Sequence, residues 1–345
     1  MESHHAHRAH QAMGPGREFD TIRLLMEQWG DLAVDIGDDA AVLPDVEHRR
    51  RVVSVDACVE GAHFLRSWIT PREIGVRATA AALSDLAAMG ANAEALLLAF
   101  AVPDAWRAAL GDIADGIAQV VRHAGARIVG GNLTRAEQFS ITTTVIGSAV
   151  RAVPRRGAVP GDVLVVTGQL GGPGNAIREW YQGHVPSDWA RSRFGNPMPR
   201  LAEGQALAAA GAHAMLDISD GVVADARHMA AASHVTLEID ARLIPLGEGI
   251  SVADALVSGE EYELLAALPL EAAQELLRTW PVRFAVPLTV VGRVGDVDPN
   301  GAVNVVFESA ANAAAARPSD MPAHSESKKS TTRVDKYSGH DHFTE

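Results

Sequence analysis

"PREIGVRATAAALSDLAAMG", residues 71–90, reads as one helix with a single carboxylate set into its apolar second half. Pro71 suits the first helical position, Thr70 stands where a cap belongs, and Gly90 stands where the helix should stop. Asp85 is the exception to the pattern. Its neighbours at i−4, i−3, i+3 and i+4 are Ala81, Ala82, Ala88 and Met89. An ionised carboxylate on such a face is costly unless it is paired or holds a metal. Arg77 stands eight residues back. That is about two helical turns, too far for an i,i+4 pair.

Lysine does not supply the pair. It occurs only at 328, 329 and 336, and residues 1–327 contain none. A Walker-A lysine, a Schiff-base lysine and a protein-kinase β3 lysine are therefore all missing from that span. Any phosphate chemistry there must rely on arginine, backbone N–H groups or metal ions.

Other aspartates lie in comparable settings. "DIGDDAAVL" (35–43) puts three aspartates, Asp35, Asp38 and Asp39, into five positions. Asp56 sits between Val55 and Ala57 in the strand-like "RVVSVDACV" (51–59), and Asp217 and Asp220 bracket Ser219 in "AMLDISDG" (214–221). Each has a structural alternative: Asp220 as a helix N-cap, Asp38 as an Asx-turn residue, Asp56 on the solvent face of an edge strand. Taken together they suit a hard divalent cation. Mg²⁺ is held by a few carboxylates plus phosphate oxygens and water, so an acidic protein can bind a polyphosphate through it. The glycine-rich turns "VGGN" (129–132) and "GQLGGPGN" (168–175) are candidate backbone cradles for phosphate.

The composition narrows the class. The chain has 345 residues, enough for two ordinary domains. Hydrophobic residues make up 47% and aromatics 5%, with alanine and glycine abundant, which favours close-packed α/β layers over an aromatic-rich sandwich. A net charge of −13 argues against nucleic acid as partner. The one cysteine, Cys58, excludes an internal disulfide and a multi-cysteine zinc site, and suits a reducing, cytoplasmic setting. It reads as a small buried hydrophobe rather than a nucleophile. The apolar run "ALLLAFAV" (95–102) is far short of the ~20 residues a membrane span needs. "MESHHAHRAH" (1–10) lacks the apolar core of a secretory signal.

Along the chain, residues 1–18 read as a flexible leader, 19–150 as a first domain, 151–310 as a second and 311–345 as a mobile tail. "RAVPRRGAVPGD" (151–162), with Pro154, Pro160, Arg151, Arg155 and Arg156, marks the boundary. The first domain should hold helices at 21–29, 71–90 and about 105–124, with strands at 51–59, 93–103 (a buried one), 126–131 and 139–150. The second should hold strands at 163–168, 235–240, 261–268, 288–294 and 303–308, with 214–221 ending a further strand and opening a helix. Its helices should follow the 168–176 turn, span about 200–210, follow Asp220, and cover 271–280. No fixed-period repeat is present. The fold class is mixed α/β (α+β) in two domains.

Seven stretches, in order, carry a resemblance: "IGDDAAVL", "SVDACVEGAHF", "LSDLAAMGA", "IVGGNLTR", "GDVLVVTG", "LDISDGVVADARHM" and "SGEEYELL". Over about residues 20–310 the chain resembles the thiamine-monophosphate kinase family of the PurM/AIR-synthase-like superfamily. The resemblance implies a PurM-like two-domain fold, a homodimer joined through the N-terminal sheet, and a cleft site between the domains. It implies Mg-ATP-dependent phosphorylation of thiamine monophosphate to thiamine diphosphate, with ATP as co-substrate and several Mg²⁺ ions. Asp39, Ser54, Asp56, Asp85, Asp217 and Asp220 would bind Mg²⁺. Gly131, Asn132, Arg155 and Ser219 would contact ATP, and His63, Glu260 and His340 thiamine monophosphate. No residue is assigned as a base.

The chain departs from the family pattern at three positions. Asn132 stands where an aspartate is usual, Ala82 where an asparagine is common, and His340 where "G-x-D-H-F" carries an aromatic. Selenophosphate synthetase-like enzymes would bring a reactive Cys or selenocysteine with a nearby lysine, and hydrogenase-maturation relatives a terminal cysteine. An aminoimidazole-ribonucleotide synthetase type and a non-catalytic nucleotide-binding relative are the alternatives.

Overall fold

Thr70 caps the helix expected at 71–90, which runs Pro71–Ala88 (α1). Its hydroxyl accepts the Glu73 N–H and the Glu73 carboxylate accepts the Thr70 N–H, a capping box with Pro71 in the first turn. Gly90 beyond it has φ +64°, a left-handed value that glycine adopts at little cost. Within α1 every residue is buried except Arg72, which is exposed, and Pro71 and Asp85, which are half-buried. This computed structural model describes residues 38–46, 49–307 and 331–333. The leader, the helix expected at 21–29 and His340 lie outside the described residues.

Strands β1 (Ala41–Val46), β2 (Arg49–Val59), β3 (Asn92–Val102), β4 (Arg127–Arg135) and β5 (Ser140–Ala149) form a five-stranded sheet. The order is β1-β2-β5-β3-β4, with β3 and β4 parallel and the other neighbours antiparallel. Helix α1 packs on β2 and β5, and α2 (Leu110–Ala124) packs on α1. The two helices touch backbone to backbone: a Cβ on Gly75 would lie 2.1 Å from the Ile113 carbonyl oxygen.

The opposite sheet face is open. Val55 and Leu97 both align with Thr144 of β5, and they are 62% and 38% exposed. Strand β3, expected to be buried, is therefore buried on one face only. The helix expected over 105–124 is divided into a 3₁₀ turn at Asp104–Ala109 and α2.

A seven-stranded sheet follows, built from β6 (Val163–Thr167), β7 (Ala214–Asp217), β8 (Val235–Asp240), β9 (Leu264–Leu268), β10 (Leu288–Val297), β11 (Ala302–Val306) and β12 (Thr331–Arg333). Its order is β12-β11-β8-β10-β6-β9-β7. Strand β12 falls inside the stretch expected to be a mobile tail; it pairs antiparallel with the otherwise open edge of β11. The accompanying helices are α3 (Gly172–Tyr181), α4 (Asp188–Gly195), α5 (Leu201–Ala209), α6 (Val222–Ser233), α7 (Val252–Val257) and α8 (Leu270–Arg283). The sequence reading missed α4, which opens on Ser187 accepting the Ala190 N–H.

Both halves share α1. Leu83, Leu86 and Met89 of its C-terminal region pack in the same buried cluster as Met215 and Leu264 of the second sheet. The helix carrying Asp85 is thus wedged between the two sheets.

Candidate active site

Three distant segments converge at the end of α1. Asp39 comes from the loop before β1, Asp85 from α1 and Asp217 from the end of β7, and one carboxylate oxygen of each lies within 4.8 Å of the others. Ser54 of β2 donates to Asp85 Oδ2 at 2.5 Å. Asp56, two residues on, shares Ser54's sheet face, because successive strand side chains alternate. Its Oδ1 accepts the Ala57 N–H at 2.7 Å and its charge acts on Asp85, so it is not simply a solvent-facing edge residue.

Burial and mutual repulsion hold protons on this cluster. Asp85 is raised well above the usual carboxylate range by burial first, then by Asp217, Asp56 and Asp39. Burial, then Asp39, pushes Asp217 up to about 7. Asp39 is raised by burial while Arg155 opposes the rise. Adjacent, desolvated oxygen donors of one sign fit a hard divalent cation in place of protons.

Arg155 enters from the inter-sheet segment. Its Nη2 donates to Asp39 Oδ1 at 2.7 Å and its backbone N–H to Asp38 Oδ1 at 2.9 Å. Asp38 thus serves the linker rather than an Asx turn. Asp220 is not the cap of α6; that position is Gly221.

A second donor group, not found from the sequence, adjoins the first: one ligand atom each of Asp220, Asp225 and His228 lie within 4.8 Å of one another. Asp225 accepts the Asp220 N–H at 3.1 Å. The available signal was the i,i+3 spacing of Asp225 and His228 on the helix that follows Asp220.

The loop before β9 closes over this turn. The Glu260 N–H donates to the Ser219 carbonyl at 2.6 Å and the Tyr262 N–H to the Ile218 carbonyl at 2.9 Å. Glu260 and Tyr262 have φ of +62° and +52°. Their left-handed backbone is why the strand expected from 261 begins only at Leu264. Glu260 is ion-paired to Arg77 of α1 and accepts the Tyr262 hydroxyl.

The glycine-rich turn at 168–175 is not an open phosphate cradle. Glu261 Oε1 takes the Gly171 N–H at 2.5 Å and the Ser258 hydroxyl, and Ser258 Oγ accepts the Gly174 N–H at 3.0 Å. The Gly171 and Gly174 N–H groups are thus taken by Glu261 and Ser258 rather than left for an anion.

Cys58 is buried and its thiol is pushed up to about 12, by burial first, with Arg77 opposing and Asp56 and Glu260 adding to the rise. It is no nucleophile at neutral pH. That set of charges places the Asp56 end and the Glu260 end around one residue. His63, just beyond β2, accepts the Val59 N–H on Nδ1 at 3.1 Å.

Gly131 and Asn132 lie on β4, exposed along its whole length and separated from β2 by β5 and β3. Three strand spacings make about 14 Å. Asn132 aligns with Ala99 and Thr142 on the open face, whereas Ser54 and Asp56 align with Val145 and Thr143, whose side chains are buried. The described chain does not bring Asn132 to the carboxylates.

Residues 37–149 match the AIR synthase related protein N-terminal domain and residues 159–303 the AIR synthase related protein C-terminal domain. The chain is 34% identical to thiamine-monophosphate kinase of Escherichia coli (strain K12), over 81% of this chain and 88% of that one. It is 37% identical to the enzyme of the same name from Mycobacterium tuberculosis (strain H37Rv), over 65% of this chain and 68% of that one. The solved structure of AaThiL complexed with AMPPCP and TMP superposes with a TM-score of 0.75 at 28% identity, covering 84% of this chain and 93% of that one.

Proposed function

The chain belongs to the thiamine-monophosphate kinase family, built from paired AIR synthase related domains, and on that premise we propose that it transfers the γ-phosphoryl group of ATP in line to the phosphate of thiamine monophosphate, with the help of divalent cations. The products are thiamine diphosphate and ADP. The convergence of Asp39, Asp85 and Asp217 carries this reading, in a chain whose first 327 residues hold no lysine.

Asp39, Ser54, Asp56, Asp85, Asp217 and Asp220 would hold Mg²⁺. When bound, the ions neutralise phosphate oxygens and so lower the cost of bringing two anions together. The acceptor is a phosphate monoester with a second pKa of about 6. It arrives largely ionised, so no residue has to act as a base.

Arg155 sets a guanidinium beside Asp39 for the charge that shifts during transfer, and Ser219 lines the nucleotide side. His63 accepts a backbone N–H on Nδ1, so its neutral ring carries the proton on Nε2 and presents a donor to the acceptor. Glu260 offers a carboxylate to the cationic end of thiamine monophosphate. Gly131 and Asn132, three strands away from β2, are given no nucleotide contact in this reading. AMPPCP and TMP on AaThiL support the pair of ligands.

The open sheet face, with Val55 and Leu97 exposed, suits a second copy of the chain and puts Asn132 at that contact. Among the described residues no helix is long and apolar enough to cross a membrane. A reducing cytoplasm suits the single buried thiol.

The test is direct: purified protein with Mg-ATP and thiamine monophosphate, with products separated by chromatography. Thiamine diphosphate is expected. ATP binding without that product would overturn the reading in favour of a non-catalytic nucleotide-binding relative.

A further inference from the structure

On the reading that Glu260 contacts the acceptor, we propose that Arg77 is a positioning residue: it fixes the Glu260 carboxylate and thereby sets affinity for thiamine monophosphate rather than for ATP.

Arg77 is 1% exposed. A guanidinium buried that deeply is destabilising unless its charge is matched. Glu260 supplies the match from the other domain. Two further contacts fix the plane of the group. It stacks over the Phe194 ring at 3.9 Å, and its Nη1 donates to the Phe194 carbonyl at 3.1 Å. A planar fork held on one face and at one nitrogen cannot swing with its partner.

The carboxylate is held from a second side. Glu260 Oε2 meets both the Arg77 guanidinium and the Tyr262 hydroxyl. Burial, then the charge of Glu260, raises the Tyr262 phenol well above its ordinary value, so it stays a donor. The main chain is fixed as well, through left-handed Glu260 and Tyr262 and their hydrogen bonds to Ser219 and Ile218. A left-handed backbone is unfavourable at a non-glycine residue, so surrounding contacts must hold it. Here they aim Glu260 back at α1.

Arg77 and Asp85 share α1, eight residues apart. At about 1.5 Å per residue the helix separates them by about 12 Å along its axis. One rigid element thus fixes a member of the carboxylate cluster and the support of the acceptor residue in a single register.

A purely structural role, a staple between domains, predicts something different, and steady-state kinetics separate the two. The parent, Arg77→Lys, Tyr262→Phe, Glu260→Gln and Arg77→Lys/Glu260→Gln are compared for kcat and for KM of each substrate. Arg77→Lys should raise KM for thiamine monophosphate about tenfold, with kcat and KM for Mg-ATP within about twofold. Tyr262→Phe should shift the same KM about threefold. The double variant should match Glu260→Gln alone, because Arg77 acts through Glu260.

An unchanged acceptor KM in Arg77→Lys, parallel shifts in both KM values and kcat, or multiplying effects in the double variant would each overturn the proposal. Parent-like kinetics in Glu260→Gln would remove Glu260 from the acceptor site, and the inference with it; that single variant reports on the underlying reading separately. Should Arg77→Lys fail to fold, Tyr262→Phe, which keeps every charge, carries the same comparison.

Discussion

Arg155 Nη2 lies 2.7 Å from Asp39 Oδ1, so the segment between the two sheets supplies the counter-ion of a carboxylate that also faces Asp85 and Asp217. The pair does two jobs: it offsets part of the repulsion in the cluster, and it holds a guanidinium at the edge of the place where phosphate oxygens would gather. Arg155→Gln should therefore reduce kcat/KM for Mg-ATP by roughly a hundredfold, the scale for losing one charge-stabilising group. Its metal-free melting temperature should also fall, because Asp39 stays buried without its partner. A variant that loses stability but keeps kcat/KM would confine Arg155 to structure.

Cation dependence follows from the donor chemistry. EDTA should abolish turnover and Mg²⁺ restore it. Mg²⁺ at a hundred times its Kd should stabilise the fold by about 2.7 kcal/mol, since a ligand of the native state alone shifts unfolding by mass action. Full turnover in chelated buffer, or a melting temperature indifferent to Mg²⁺, would refute the assignment of the carboxylates.

What the sequence displayed and what it hid have the same origin. Thr70, Pro71 and Gly90 act locally, so α1 was readable at both ends. Asp85 was conspicuous because helical neighbours are known from spacing alone. Arg77 was not, because its partner Glu260 arrives from the far domain. Strand β9 was expected to begin at 261 from local β-prone residues. The contacts of Glu260 and Tyr262 with α1 and with the turn at 218–219 override that preference. The turn at 168–175 resembled a phosphate cradle for a similar reason. Nothing within it shows that Glu261 and Ser258 occupy its N–H groups.

The open face of the first sheet gives a prediction about assembly. Leu97 of β3 is 38% exposed beside a row of aligned threonines and alanines. Sedimentation should find a dimer for the parent protein. Leu97→Glu would bury a charge in that contact and should shift the protein to monomer. A parent that sediments as a monomer would leave this face without the partner proposed for it.

Glu261 gives a pH dependence separate from the carboxylate cluster. Burial raises its carboxyl to about 7, against the opposing charge of Arg193. Between its ordinary value near 4.5 and about 7, the unfolded chain has released this proton and the folded chain still holds it. The folded state binds more protons there, so this group's contribution falls as pH rises across that window and is level on either side. At 1.36 kcal/mol per unit the loss is on the order of 3 kcal/mol as an upper bound. Glu261→Gln keeps an acceptor for the Gly171 N–H and removes the titration. Its melting temperature should fall less than the parent's from pH 4.5 to 7. Parallel curves would show that Glu261 is ionised throughout.

Asp85 provides the sharpest separation of function from structure. It is half-buried, whereas every other residue of α1 after Arg72 is buried. Among the described residues its side-chain hydrogen bond comes from Ser54. Burial, then Asp217, Asp56 and Asp39, raises its carboxyl well above the ordinary range, so its charge disfavours the metal-free fold. Asp85→Asn keeps the shape and an oxygen acceptor for the Ser54 hydroxyl, while removing one negative charge from the cluster. The metal-free protein should melt at the same temperature or higher. Turnover at saturating Mg-ATP should fall roughly a thousandfold, because an amide is a poor replacement for a carboxylate at Mg²⁺. The stabilisation gained on adding Mg²⁺ should shrink with it. A residue placed for structure alone would give the reverse order, with stability lost and turnover kept. Melts with and without Mg²⁺, paired with turnover on the same preparation, decide between the two, and an Asp85→Asn protein that turns over like the parent would take the cation assignment down with it.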